Sequence, residues 1–235
     1  MSHLRQTILR SVLFSALFTS TYGVQAAEKS VATRLEPHHH VILENKYVTV
    51  MRVLIQPGES TLFHEQHLDY VNTHIEGSPV KIESPDKPVN NTEMKSGNVK
   101  FGAHQGKSDT DKVTNTGDRV NHQVAFEINM TGPQHFGGAT RPASEAFTQV
   151  LNEKTVKGWK VSLKPGESTG TYTQHGPGVR VFFTEGRILI ADRLHANHVT
   201  EIWVHPGDAF LTEPGEVNLT AASEQNITFN DYELL

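Results

Sequence analysis

Cysteine is absent from all 235 residues of this chain. No disulfide, thiolate nucleophile or thiolate-based zinc site can form, so apolar burial and hydrogen bonding must hold the fold alone. Long apolar runs are lacking as well. The N-terminal run Val12 to Phe18 (VLFSALF) falls well short of the ~20 residues that a membrane-spanning helix needs. Positive charge is the scarcer sign, 21 Lys and Arg against 26 Asp and Glu, and it forms no basic stripe. Nucleic acid is therefore not expected as a partner. No segment sustains an apolar period of 3.6 residues, which argues against a helical domain. A phosphate-binding glycine loop is missing, and serine-hydrolase chemistry is not expected.

What the chain does have is a duplication. Residues 44–67 (ENKYVTVMRVLIQPGESTLFHEQH) align without a gap on residues 152–175 (NEKTVKGWKVSLKPGESTGTYTQH). The copies share Lys46 with Lys154, Val48 with Val156, Val53 with Val161, and the block Pro57 to Thr61 with Pro165 to Thr169. The pairs Gln66-His67 and Gln174-His175 also match. A repeat of this kind marks two copies of one structural unit. Each copy reads as an alternating strand, a Pro-Gly turn and a polar strand.

The remaining segments fall around that repeat. His3, Arg5 and Arg10, the run Val12 to Phe18, and Val24-Gln25-Ala26 have the order of a secretory signal peptide, with cleavage expected after Ala26. Such a chain would be periplasmic or secreted, with no membrane association after cleavage. Short β-prone runs separated by Pro-Gly and Asn/Gly turns predict an all-β sandwich or barrel. The best helix candidate is short, Ser144 to Leu151. Pro79 to Asn98, polar with three prolines, reads as a long loop or lid, and Thr131 to Ala143 as a Gly/Pro-rich linker. The expected division is residues 1–26 leader, 36–130 N-terminal barrel, 131–146 linker and 147–235 C-terminal barrel.

Gly58 is followed by His64, Gln66, Tyr70 and Gly77, and the second copy by Gly166, Tyr172, Gln174, Val179 and Gly186. This frame resembles the first signature of the cupin superfamily, whose pattern is Gly, a His-x-His pair, Glu and a closing Gly. Asp111 and Asn115 fall on its second signature. The resemblance implies two tandem antiparallel barrels, a bicupin. In cupins three His and one Glu hold Fe, Mn, Ni, Cu or Zn in the barrel mouth. Here His64 stands alone of that set, with Gln66, Tyr70 and Asp111 at the other three positions.

Two readings of the first barrel stay open. One is a single divalent transition metal (Fe, Mn, Ni, Cu or Zn) on His64, His74 and Asp111, since two His and a carboxylate can hold non-haem iron. The other is a metal-free polar pocket. In either, His64, Asp111 and Tyr70 are the candidate catalytic groups, and Gln66, Asn72, His74 and His67 the candidate substrate contacts. A small polar or acidic molecule would be the partner; reaction types seen in cupins include dioxygenation, isomerisation, lyase chemistry and sugar-acid conversion. A non-catalytic, ligand-binding or structural bicupin is the alternative, and oligomerisation is left open. The second barrel is expected to hold no metal, with Val179, Val181 and Phe183 filling its interior and Asn218 at the last ligand position. His38, His39 and His40 are expected at the surface or between lobes, and His195, His198 and His205 at the surface or an interface.

Overall fold

The computed structural model describes residues 29–192 and 198–235. The leader and His195 lie outside the described residues. The first half of the chain forms β1 (Val31–Ala32), a 3-10 turn (Thr33–Leu35), β2 (His39–Glu44), β3 (Val48–Ile55), β4 (His64–Gln66), β5 (Tyr70–Glu76), β6 (Pro79–Ser84), β7 (Lys87–Glu93), β8 (Val99–Gly102), β9 (Asp109–Asn115) and β10 (Asn121–Ile128). The second half forms β11 (Phe147–Asn152), β12 (Val156–Leu163), β13 (Tyr172–Gln174), β14 (Gly178–Phe182), β15 (Gly186–Asp192), β16 (His198–Val204), β17 (Ala209–Thr212), β18 (Gly215–Ala221) and β19 (Ile227–Leu234).

Each half makes two facing sheets. The order is β1-β4-β9-β6-β7 over β2-β3-β10-β5-β8 in the N-terminal lobe, and β13-β18-β15-β16 over β11-β12-β19-β14-β17 in the C-terminal lobe. The repeated Pro-Gly-Glu-Ser-Thr block has a structural explanation. Gly58 and Gly166 both take positive φ, +80° and +76°, at the tight turn. Glu59 and Glu167 reach back to cap the backbone N–H groups of Gln56 and Lys164 at 3.1 and 2.8 Å. Thr61 and Thr169 accept the N–H groups of Val113 and Leu219, both at 2.9 Å. The block turns the chain and pins it across the barrel, with no chemistry of its own.

Strand alternation divides the apolar residues between three clusters. Met51, Val53 and Ile55 of β3 face into the first barrel with Val80, Val113 and Ala125. Val161, Leu163, Phe182, Ile188, Leu219 and Phe229 fill the depth of the second. The third cluster lies between the lobes: Val48, Val50, Val71 and Phe126 meet Val156, Val179, Val181 and Tyr232. Thr73 and Tyr232 hydrogen-bond across that seam at 2.7 Å.

Three sequence expectations need correction. Ser144 to Leu151 is not helical: Phe147–Asn152 is strand β11, paired along β12. Pairing with an existing strand outweighs the weak helix signal of so short a segment. Pro79 to Asn98 is not a loop but the hairpin β6–β7, whose first strand pairs β9. Its prolines sit where sheets tolerate them, at the start of β6, in the turn and on the edge strand β7. Finally, Val179 and Val181 face the other lobe rather than the barrel interior, into which β14 sends Arg180 and Phe182. The repeat's register aligns Gly178, not Val179, with Tyr70, and a slip of one residue inverts every side chain of a strand.

Candidate functional site

The mouth of the N-terminal barrel encloses a cavity of about 190 Å³. Strand β4 supplies His64 and Gln66, β5 supplies Tyr70 and Asn72, and β9 supplies Asp111, all of which line it. The cross-strand register explains this convergence, since His64 stands directly opposite Asp111 and Gln66 opposite Asp109. His67 does not join them. Its side chain is largely exposed, and its Nε2 lies 3.1 Å from Glu65. His74 faces the barrel interior but lies outside the cavity lining, fully buried, with neither ring nitrogen hydrogen-bonded. Burial, and then Lys100, hold its pKa down at about 4, so the ring is neutral.

Sequence reasoning missed several lining groups. His39, expected at the surface or between lobes, is buried in this cavity and packs edge-on against His64, ring centroids 4.8 Å apart. The signal was in the register: His39 lies opposite Val53 on β3, and Gln123 lies opposite Val53 from the other side, so all three share the inward face. Lys100 of β8, opposite Asn72, and His104 and Asp109 complete the rim. His104 can fold back because residue 102 is glycine; a Cβ there would come within 2.0 Å of the imidazole. Asp69 steadies that loop by accepting the N–H groups of His104 and Gln105 at 3.1 and 3.3 Å, and it accepts a bond from Thr155 of the other lobe. The other expected surface histidines divide: His40 is exposed, while His38 leans on Glu36 at 3.1 Å.

The protonation pattern follows from the hydrogen bonds. His39 Nδ1 lies 2.9 Å from the carbonyl of Thr33 and so carries the proton. Burial and then the neighbouring His64 press its pKa down to about 4. Glu36 beneath it is buried, which raises its pKa. Bonds from His38 and the Leu62 amide outweigh that and keep the carboxyl below its usual range. His64 Nδ1 lies 3.1 Å from the carbonyl of Leu62, so its Nε2 faces Asp111 Oδ1, also 3.1 Å away. The contact is at ion-pair distance but is not aligned as a hydrogen bond, and Asp111 Oδ1 has no other partner. Two lone pairs cannot face each other at this distance without a proton on one of them. Burial raises the Asp111 carboxyl, opposed by His64. Tyr70 is pushed well above its usual value by burial and stays a hydrogen-bond donor.

Among the described residues no three His, Cys, Asp or Glu side chains are gathered as ligands. The proposed set of His64, His74 and Asp111 is not assembled, because His74 sits one layer deeper than the other two.

The C-terminal barrel repeats the architecture with different chemistry. Tyr172 stands at the position of His64, Gln174 at that of Gln66 and Arg180 at that of Asn72. Val217, paired with Tyr172, occupies the place of Asp111. Asn218, expected there, is one residue off and bonds Ser168 at 2.5 Å on the outside. Gly166 to Gly170 (GESTG) fits the letters of a Gly-x-Ser-x-Gly elbow. Yet Ser168 is held by Asn218 and by the Gly170 amide in a strand-to-strand turn, which is no elbow.

Behind Tyr172 lies a charge cluster that nothing in the repeat announced. Arg141 of the linker inserts its guanidinium between Trp159 and Tyr172, 4.3 and 4.5 Å from the ring centres. It donates to Asp231 at 2.8 Å and to Glu233 at 2.6 Å, and Arg180 donates to Asp231 at 2.9 and 3.0 Å. All four side chains are buried. The barrel was expected to be filled, but its mouth keeps a cavity of about 410 Å³, larger than that of the first lobe.

No family model and no curated protein matches the sequence. Solved structures do. AerE from Microcystis aeruginosa aligns over 85% of this chain and 98% of its own, at 9% identity and a TM-score of 0.60. Oxalate decarboxylase of Bacillus subtilis, described with Mn(II) centres, aligns over 83% and 74% at 9% identity, TM-score 0.58. Salicylate 1,2-dioxygenase from Pseudoaminobacter salicylatoxidans aligns over 80% and 71% at 11% identity, TM-score 0.55. At such identities the likeness is one of fold.

Proposed function

We propose that this chain, which has the cupin fold in each of two lobes, binds a small acidic molecule in its N-terminal barrel and moves a proton on it through His64 and Asp111. The observation that carries the reading is the pair itself. Asp111 Oδ1 and His64 Nε2 face each other at the wall of a cavity, and Asp111 Oδ1 is buried without a hydrogen-bond partner. Buried polar groups left unsatisfied are costly, and a ligand group would complete them. The cavity is smaller than the usual drug-sized pocket of roughly 300 Å³ and upward, which suits a small metabolite.

Charge favours an acid. Asp109 is neutralised by Lys87 at 2.7 and 2.8 Å, and Asp111 lies 3.1 Å from His64 Nε2. Lys100 at the rim then biases the opening toward an anion, and His104, whose pKa burial lowers, stands beside it as a neutral ring. Tyr70 and Gln66 orient the guest. The His64–Asp111 pair can give a proton to a bound acid or take one from it, which is general acid–base chemistry.

The test is calorimetric titration with malonate and pyruvate, together with deuterium exchange into their α-positions. His64→Gln and Asp111→Asn should weaken binding or abolish exchange. Wild-type protein that neither binds nor exchanges these acids, or variants indistinguishable from it, would overturn the reading. Export belongs to the same proposal, supported by the order of Arg5, Arg10, the apolar run and Val24-Gln25-Ala26. The exported protein should begin at or near Ala27 by mass spectrometry, and an intact Met1 in the exported pool would refute it.

A further inference from the structure

The geometry points to a second, chemically different binding site in the mouth of the C-terminal barrel, one that takes an uncharged apolar molecule bearing a single hydroxyl, such as a phenol or a fatty alcohol. The cavity measures about 410 Å³, within the range of small-molecule sites. Register makes it the counterpart of the N-terminal cavity. Phe210 lies opposite Arg180 as Lys100 lies opposite Asn72, and Val217 opposite Tyr172 as Asp111 lies opposite His64. Two charged lining positions of one lobe, Lys100 and Asp111, are thus apolar in the other.

Ile190, Ile202 and Leu211 extend the same apolar wall, and each is only partly buried, so the surface is lined but not filled. An apolar cavity of this kind gains free energy when a guest of matching surface displaces its water. One end is polar. Gln174 Nε2 donates to the Gly176 carbonyl and to Thr212 Oγ1 at 2.9 and 2.6 Å. Thr212 therefore keeps its hydroxyl proton to donate, and the carbonyl of Gln174 stands outside both bonds. Together they match one hydroxyl group.

Charge selects against an acid here. The buried guanidiniums of Arg180 and Arg141 are matched by Asp231 and Glu233. The rim carries the carboxylate of Glu213. An anionic head group would meet repulsion at the opening and no uncompensated cation within.

The test uses the full chain and the neutral fluorophore N-phenyl-1-naphthylamine, whose emission rises in apolar surroundings. Saturable binding is expected, displaced by 1-octanol and p-cresol and not by octanoate. Phe210→Lys with Val217→Asp, the residues the first lobe carries, should weaken the fluorophore at least about tenfold by charging an apolar wall. Ile202→Ser is the milder variant should the first not fold, judged by its thermal melt. His64→Gln and the outer-face Trp203→Ser should leave binding unchanged. The proposal falls if binding does not saturate, if octanoate competes as well as octanol, if Trp203→Ser abolishes binding, or if the folded cavity variants bind like wild type.

Discussion

Single residues carry unusual burdens in this molecule. His74 is fully buried with neither ring nitrogen paired, while the matching position of the second lobe is Phe182. Replacing an unsatisfied buried polar group by an apolar one removes a cost of roughly 1–3 kcal/mol. His74→Leu should therefore stabilise the protein at neutral pH. The gain should grow on acidification. The folded-state pKa is about 4 against 6.5 for a free imidazole, so the unfolded chain binds the proton first. Wild-type stability is lost as pH falls from about 6.5 toward 4, at up to about 1.4 kcal/mol per pH unit for this group. Urea denaturation of both proteins at pH 7 and pH 5 measures the difference; a gain that shrinks at pH 5 would contradict the assignment.

Arg141 is the opposite case, a buried charge with every partner in place. Removing it leaves Glu233 buried without its guanidinium and Asp231 with Arg180 as its one cation, and breaking a buried pair costs about 3–5 kcal/mol. Arg141→Ala should lower the denaturation midpoint accordingly. Arg141→Lys should recover little, since an ammonium cannot fork between two carboxylates while lying flat between Trp159 and Tyr172. Asp231 responds in the same experiment. Burial raises its pKa, but Arg180 and Arg141 outweigh that and hold it low, so its contribution is lost as pH falls through the folded-state value. Without Arg141 that loss should begin at higher pH.

At the level of elements, one strand shows how a face is decided. β14 sends Val179 and Val181 to the seam between lobes and Arg180 and Phe182 into its own barrel. Val181→Asp should consequently damage lobe packing, placing an unpaired carboxylate among Val71, Phe126 and Tyr232. The expected readout is a loss of several kcal/mol in urea, roughly the cost of an uncompensated buried charge, with early proteolysis between the lobes. The hairpin β6–β7 makes the same point about walls and loops. Its Val80 is fully buried and its Ile82 lines the N-terminal cavity, so the segment forms part of the site's wall. In the sequence its prolines and polar residues outweighed that alternation.

Across the whole molecule, the two lobes are joined by a dry core rather than by the linker alone. Phe126, Val50 and Val71 of one and Val156, Val179 and Tyr232 of the other are fully buried against each other. Neither lobe alone could cover that face, and exposed apolar patches of such size promote association. A fragment ending near Met130 should be aggregated or dimeric, whereas the full chain should unfold in one transition. A soluble monomeric fragment with a native melt would show the seam to be dispensable.

The duplication, the all-β class, the tight turns and the polar strand bearing His64 were legible in the residues, because each depends on local pattern: alternation, a Pro-Gly pair, a gapless repeat. Tyr70, Gln66 and Asp111 could be placed at the barrel mouth only through the resemblance of their spacing to the cupin signatures. Only tertiary structure brought His39 beside His64, since that contact depends on which strand lies across β3 and in what register. It also decided that Arg141 fills the heart of the second lobe and that an apolar cavity remains above it. A side chain arriving from outside the repeat leaves no periodicity, and a void is a property of packing rather than of any residue.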